Sequence, residues 1–182
     1  MSKNCPIMMR MKSNYENRNK TFLTRRIPVI IRLDGKAFHT YTRNLKRPFD
    51  EGLISDMQQS TKFLCENIQG AKCGYTQSDE ISILITDYDQ LKTCAWFDYN
   101  VQKVCSVSAS LVTGYFNALR IARYANPVNA WGSNLQNYFT QNLANFDSRC
   151  FNLPKEEVSN YFLARQKDPV RNSISMLAQS LY

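Results

Sequence analysis

Apolar positions along the chain switch between two spacings, and each switch marks a new element. Residues 10–26 (RMKSNYENRNKTFLTRR) are polar and basic with a few docking apolar side chains, which predicts a helix followed by a short linker. Residues 27–33 (IPVIIRL) form a compact run rich in β-branched residues, the mark of a buried strand, with Pro28 tolerated near its start. The run ends at Asp34-Gly35, where glycine permits a turn or a close ligand approach. From Pro48 the spacing lengthens: Leu53, Met57, Leu64 and Ile68 recur on one helical face, Asp50 and Glu51 suit the helix start, and Gly70 offers a stop. Residues 71–76 and 81–86 then read as two strands around Gln77-Ser78-Asp79-Glu80, with Ile81, Ile83 and Ile85 alternating toward one side.

A second long helix is predicted over 97–121, where Val101, Val104, Cys105, Leu111, Val112 and Tyr115 fall at helical intervals and no proline intervenes. Residues 122–145 turn to Asn, Tyr, Gln and Pro127, predicting an irregular insertion or a loop with a short helix. A fourth strand follows over 146–153, and Pro154 opens a helix reaching about Gln166. The central order is β, α, β, β, α, β. It predicts one α+β domain over 1–182 with a ferredoxin-like sheet, helices on one face and the other face free for a ligand.

Composition narrows the function without changing this picture. The 182 residues carry 23 Lys and Arg against 15 Asp and Glu, a formal charge of +8 that suits a polyanionic partner such as nucleic acid or a nucleotide. No apolar run is long enough to cross a bilayer and the N-terminus lacks a secretion signal, so a cytoplasmic, membrane-free protein is expected. Six scattered cysteines without CxxC spacing argue against a zinc knuckle or disulfide framework. A single histidine, His39, removes HExxH and multi-histidine metal chemistry. Neither GxGxxG nor GxxxxGK[ST] occurs. The remaining chemistry runs on carboxylates.

Asp34 stands at the end of the first core strand and Asp79 at a hairpin bend. In a four-stranded sheet the two are neighbours, and such a pair can hold two magnesium ions for phosphoryl transfer. Period-two geometry keeps Asp79 and Glu80 from sharing a face unless the bend is irregular, so Asp79 is the expected ligand, with Glu80 supporting it or facing away. On pattern alone, both segments also read as simple polar turns. After Asp34, the run Gly35-Lys36-Ala37-Phe38-His39 offers consecutive amides for an anion-binding nest. Lys46, Arg47 and Lys103 are further candidates for phosphate, or else solvated surface cations. Phe38 and His39 either stack on a base or fill the core.

The blocks RMKSNYE, TRRIPVIIRLDGKAFHTYTR, GYTQSDEIS, WFDYNVQKVCSVSAS, FDSRCFNLPKEEVSNYF and RQKDPVRNSISMLAQ together resemble the tRNA-His guanylyltransferase family, in particular its bacterial and phage-type guanylyltransferase-like branch. The resemblance covers most of the chain from about Arg10, except 122–145. It implies a catalytic domain similar to polymerase palms, with added helices, that extends tRNA 5′ ends in the 3′-to-5′ direction. A 5′-monophosphate is first activated with a nucleoside triphosphate, usually ATP. The 3′-hydroxyl of an incoming nucleotide such as GTP then attacks that end. The resemblance implies that Asp34 and Asp79 ligate both magnesium ions, that the Gly35 carbonyl binds one, and that residues 34–39 (Asp34, Gly35, Lys36, Ala37, Phe38, His39) meet the triphosphate. It also implies that Ser78 contacts phosphate, that Lys103 is a further phosphate contact and that Glu80 is an important catalytic neighbour.

Two departures refine this. Members dedicated to tRNA-His carry a HINNLYN-like segment after the RQxD block, whereas residues 170–176 here read VRNSISM and resemble the branch associated with template-directed 5′-end repair. The family also continues beyond the AQ-containing helix at which this chain stops, which bears on the homotetramer that family members generally form. Alternatives are dedicated guanosine addition to tRNA-His, a palm-fold nucleotide cyclase, and a noncatalytic tRNA-binding module.

Overall fold

A computed structural model describes residues 6–125 and 130–180. Its strands are β1 (Val29–Gly35), β2 (Ala71–Gln77), β3 (Glu80–Ile85) and β4 (Phe146–Asn152). Its helices are α1 (Pro6–Met11, continued by a wider turn over Lys12–Glu16), α2 (Phe38–Tyr41), α3 (Glu51–Asn67), α4 (Val101–Arg123), α5 (Ala130–Gln141) and α6 (Val158–Ser180). The strands form one sheet in the order β2-β3-β1-β4, every neighbouring pair antiparallel. This is the predicted α+β split arrangement.

The period-two pattern sets the two faces of the sheet. Val29, Ile31 and Leu33 of β1 pair with Ile85, Ile83 and Ile81 of β3, and all six are fully buried. They meet Met57 and Leu64 of α3 and Val104, Val112 and Phe116 of α4. Burying one such aliphatic side chain stabilises the fold by roughly 1.5–3 kcal/mol, so this single face accounts for most of the core. Polar side chains fix where the helices begin. The Asp50 carboxylate accepts the Leu53 amide at 2.7 Å at the start of α3, and the Asn100 side chain accepts the Lys103 amide at 3.0 Å at the start of α4. Gly70, at φ +83°, makes the turn from α3 into β2, where a Cβ would lie 2.5 Å from the Thr86 carbonyl oxygen.

Two expectations change and a third is narrowed. The N-terminal helix occupies 6–16 rather than the start of 10–26, and the chain from 17 to 28 is turn and loop apart from an isolated bridge at Phe22. The 122–145 stretch holds a short helix, one of its two expected readings, and that helix joins the core: Leu135 and Phe139 of α5, with Ala144, are almost fully buried. Pro127 lies outside the described residues. The last helix runs past Gln166 to Ser180, and its first turns cross the face expected to be free. There Tyr161 hydrogen-bonds Ser82 at 2.9 Å and Phe162 packs edge-on to Tyr75. No helix among the described residues is long and apolar enough to span a membrane.

Candidate active site

Sheet register brings the distant carboxylates together. Asp34 on β1 lies directly opposite Glu80 on β3 and opposite Asp147 on β4. Directly paired residues share a face, so these three and Arg32, two positions earlier, belong to the α6 side of the sheet. Gln77 pairs with Glu80 and leaves Ser78-Asp79 as a two-residue loop, Ser78 taking a positive φ of 51°. Asp79 is therefore free of strand periodicity, which is the irregular bend that lets Asp79 and Glu80 serve one site. The Gly35 amide donates to the Asp79 carbonyl at 3.1 Å and ties the loop to the end of β1.

The charges are unevenly matched. Arg32 reaches Glu80 at 2.6 Å and Asp34 at 3.6 Å, and Arg165 of α6 reaches Glu80 at 3.2 Å. Glu80 is thus occupied by two guanidinium groups. Burial opposes the charge on Arg32, yet Glu80 and Asp34 outweigh it and hold the guanidinium protonated. Among the described residues, Asp79 has no cationic partner of this kind. Burial pushes its carboxyl above the ordinary range, the Ser78 hydroxyl (2.9 Å) and its own amide partly offset this, and the Asp34 and Glu80 charges push it further up. An ionised pair at Asp34 and Asp79 calls for a cation.

The donor set fits magnesium. Among the described residues, no group of three or more His, Cys, Asp or Glu side chains is arranged to hold a metal ion alone. Magnesium does not need one, because it is commonly held by one or two carboxylates with water and substrate phosphate completing the shell. Two carboxylates beside the Gly35 carbonyl match that habit and not the nitrogen and sulfur preference of zinc.

The other predicted residues divide. Lys36, Ala37, His39 and Arg47 are exposed and lie on the chain leaving β1, while Ser78 is exposed on the hairpin loop. Ala37 has a left-handed backbone at φ 54°. The expected nest is narrower than the sequence suggests, because the Gly35 and Lys36 amides are already taken by the Asp79 and Asn145 carbonyls. Phe38 fills the core: it is 5% exposed, with ring centroids of Tyr41, Phe116 and Phe146 at 5.0, 5.7 and 5.1 Å. Its ring presents no face to a base. Gly35 is required beside it, since a Cβ there would lie 2.3 Å from the ring.

Lys103 is not brought to this site. It stands near the start of α4, at the other end of the sheet and on its opposite face, with its ammonium 5.7 Å from the Phe97 ring centroid. Cys105, two residues on, touches Cys150, which is paired with Ile31, three strand positions or roughly 10 Å short of Asp34. Sequence reasoning also missed Arg32 and Asp147. Arg32 precedes Asp34 by the two positions that place it on the same face. Asp147 opens the last strand, and its half-exposed carboxylate pairs with Arg149 at 3.2 Å.

The model of the family "tRNAHis guanylyltransferase" matches residues 8–154. A bacterial tRNA(His) guanylyltransferase-like protein, solved in complex with ATP, is 46% identical and superimposes with a TM-score of 0.85 over 97% of this chain and 71% of its own. Its complex with GTP gives the same identity and score, with 77% of that chain covered. The Saccharomyces cerevisiae tRNA(His) guanylyltransferase is 22% identical at a TM-score of 0.66, covering 86% of this chain and 65% of that one, a likeness of fold. An uncharacterized protein of Acanthamoeba polyphaga mimivirus, R259, is 27% identical over 162 residues, and this chain spans 55% of its length.

Proposed function

The chain belongs to the tRNAHis guanylyltransferase family of nucleotidyltransferases, and on that footing we propose that it adds nucleotides to tRNA 5′ ends in the 3′-to-5′ direction, with magnesium, as a repair enzyme. The observation that carries this reading is the convergence of Asp34 and Asp79 at one end of the sheet, tied by the Gly35–Asp79 backbone bond, with no matched cation at Asp79 among the described residues.

In this reading Asp34, Asp79 and the Gly35 carbonyl hold the magnesium. Bound there, magnesium would supply positive charge to phosphate oxygens during phosphoryl transfer. The chain's own residues do the rest. The exposed segment from Lys36 to His39, with Arg47 and the Ser78 hydroxyl, binds the triphosphate and orients it toward the carboxylates. Glu80, pinned by Arg32 and Arg165, positions the loop carrying Asp79 and does not itself meet substrate. Activation of the RNA 5′-phosphate by ATP releases pyrophosphate, and attack of the incoming nucleotide's 3′-hydroxyl then releases AMP. The +8 charge favours the polyanionic partner.

Incubation with magnesium, labelled GTP, ATP and a 5′-truncated tRNA is expected to lengthen the RNA by template-matched nucleotides. Asp34→Ala and Asp79→Ala each abolish this while leaving the protein folded. A cyclic product without RNA extension would instead identify a cyclase, and extension restricted to a guanosine on tRNA-His would identify dedicated maturation. Activity that survives both alanine variants would overturn the assignment of the carboxylates.

A further inference from the structure

Tyr124 and helix α5 close over a buried arginine. Arg120, near the end of α4, is fully buried, and its Nη1 donates to the Asp56 carboxylate of α3 at 2.9 Å. Arg123 holds the same carboxylate, with Nη2 at 2.5 Å from Oδ1 and Nε at 3.1 Å from Oδ2. The flat guanidinium of Arg120 lies 4.4 Å from the Phe139 ring centroid of α5 and 5.3 Å from that of Tyr124. Among the described residues its Nε and Nη2 and the Tyr41 hydroxyl make no well-aligned hydrogen bond, but the Tyr41 and Tyr124 hydroxyls lie close enough to interact with the guanidinium.

This cluster sits directly behind the segment leaving β1. Tyr41 packs on Phe139 at 5.1 Å and on Phe38 at 5.0 Å, and Phe38 in turn presses against Gly35. A second strut runs beside it, because the Tyr138 hydroxyl of α5 donates to the Thr40 carbonyl at 3.3 Å. A continuous packed path therefore joins Asp56, Arg120, Phe139, Tyr41, Phe38 and Gly35.

We propose that Arg120, clamped between Asp56 and α5, is a positioning residue that fixes the 35–41 segment for the nucleoside triphosphate, with α5 as its buttress. The inference rests on the proposed function, in which 35–39 meet the triphosphate. Asp56 does not need Arg120 for neutralisation, because Arg123 already supplies two hydrogen bonds. Desolvating a guanidinium costs stability, and here its loss leaves no uncompensated charge because Arg123 still holds Asp56. The function of Arg120 is then placement. A displacement of about 1 Å in a binding segment is enough to lower productive binding strongly.

The test measures equilibrium binding of magnesium-ATP, thermal unfolding and steady-state kinetics on the full chain and on Arg120→Met. The expected result is a Tm no lower than the parent's by more than a few degrees, ATP binding weakened roughly tenfold, and a matching rise in KM with kcat within twofold. Arg120→Lys, which keeps the charge but not the planar stack, recovers only part of the affinity. Tyr138→Phe removes one hydroxyl from the second strut and weakens binding two- to threefold; it carries the test should Arg120→Met fail to fold. Equal ATP affinity in parent and variants, or a fall in kcat and Tm with KM unchanged, overturns the inference. A parent that binds no magnesium-ATP overturns the proposed function as well, which distinguishes the two failures.

Discussion

Replacing Gly35 by alanine places a methyl carbon 2.3, 2.5 and 2.8 Å from three ring carbons of Phe38. Comfortable carbon contacts lie near 3.5–4.0 Å, so the ring must retreat by roughly 1 Å. It has nowhere to go, being 5% exposed and hemmed in by Tyr41, Phe116 and Phe146. Overpacking of this kind costs about 1–3 kcal/mol, and the tightness here argues for about 2 kcal/mol. In a chain of this length that lowers Tm by roughly 4–8 °C. The cause can be isolated by pairing the change with Phe38→Leu, which trims the obstructing ring at a cost of its own of about 1–2 kcal/mol. Urea unfolding of parent, both single variants and the double variant closes the cycle. If the ring is the obstacle, Gly35→Ala is less costly by at least about 1 kcal/mol when Phe38→Leu is already present. Simple additivity of the two costs, or a Gly35→Ala protein as stable as the parent, would refute the packing argument.

Asp79→Asn should raise Tm in chelator at pH 7 and abolish the rise that magnesium gives the parent. The sign follows from the raised Asp79 carboxyl: metal-free parent gains stability as pH falls through the window between that raised value and the ordinary 3.8, and loses it as pH rises. A variant that is less stable in chelator and still responds to magnesium contradicts this. The Cys150 thiol is pushed up to about 12 by burial and then by Cys105, from an ordinary 9.0. Its contribution is intact below about pH 9 and lost as pH climbs toward 12, so thermal scans from pH 8 to 10.5 should fall more steeply in the parent than in Cys150→Ala. Identical slopes would count against it. Tyr161→Phe removes the hydroxyl that meets buried Ser82 at 2.9 Å, costing about 1 kcal/mol and quickening hydrogen exchange in the first turns of α6; unchanged exchange would show that this bond does not anchor the helix.

The sheet was legible because its signal is local. The β-branched run of β1 and the alternating isoleucines of β3 specify strands, and the order of elements specifies which strands neighbour each other. That order places Asp34 beside the hairpin loop without any knowledge of side-chain positions. What escaped the sequence depends on reach and on companions. Phe38 lies three residues after Gly35, so its position in the chain suggests a ligand contact, but α2 folds back onto α4 and buries the ring. Arg32 escapes notice because attention to strand ends passes over the residue two positions inward. The extension of α6 was hidden by Pro169, which ordinarily argues for an end. Phe97, Asp98 and Tyr99 carry three successive positive φ angles near 50° without a glycine among them, a geometry that no local rule anticipates.

The placement of Lys103 decides which side of the sheet it serves. Its ammonium stands beside the Phe97 ring, toward the far end of the sheet and on the face opposite Asp34. A group held by that ammonium would lie on the helical side of the sheet, away from the α6 side that Asp34 and Glu80 face.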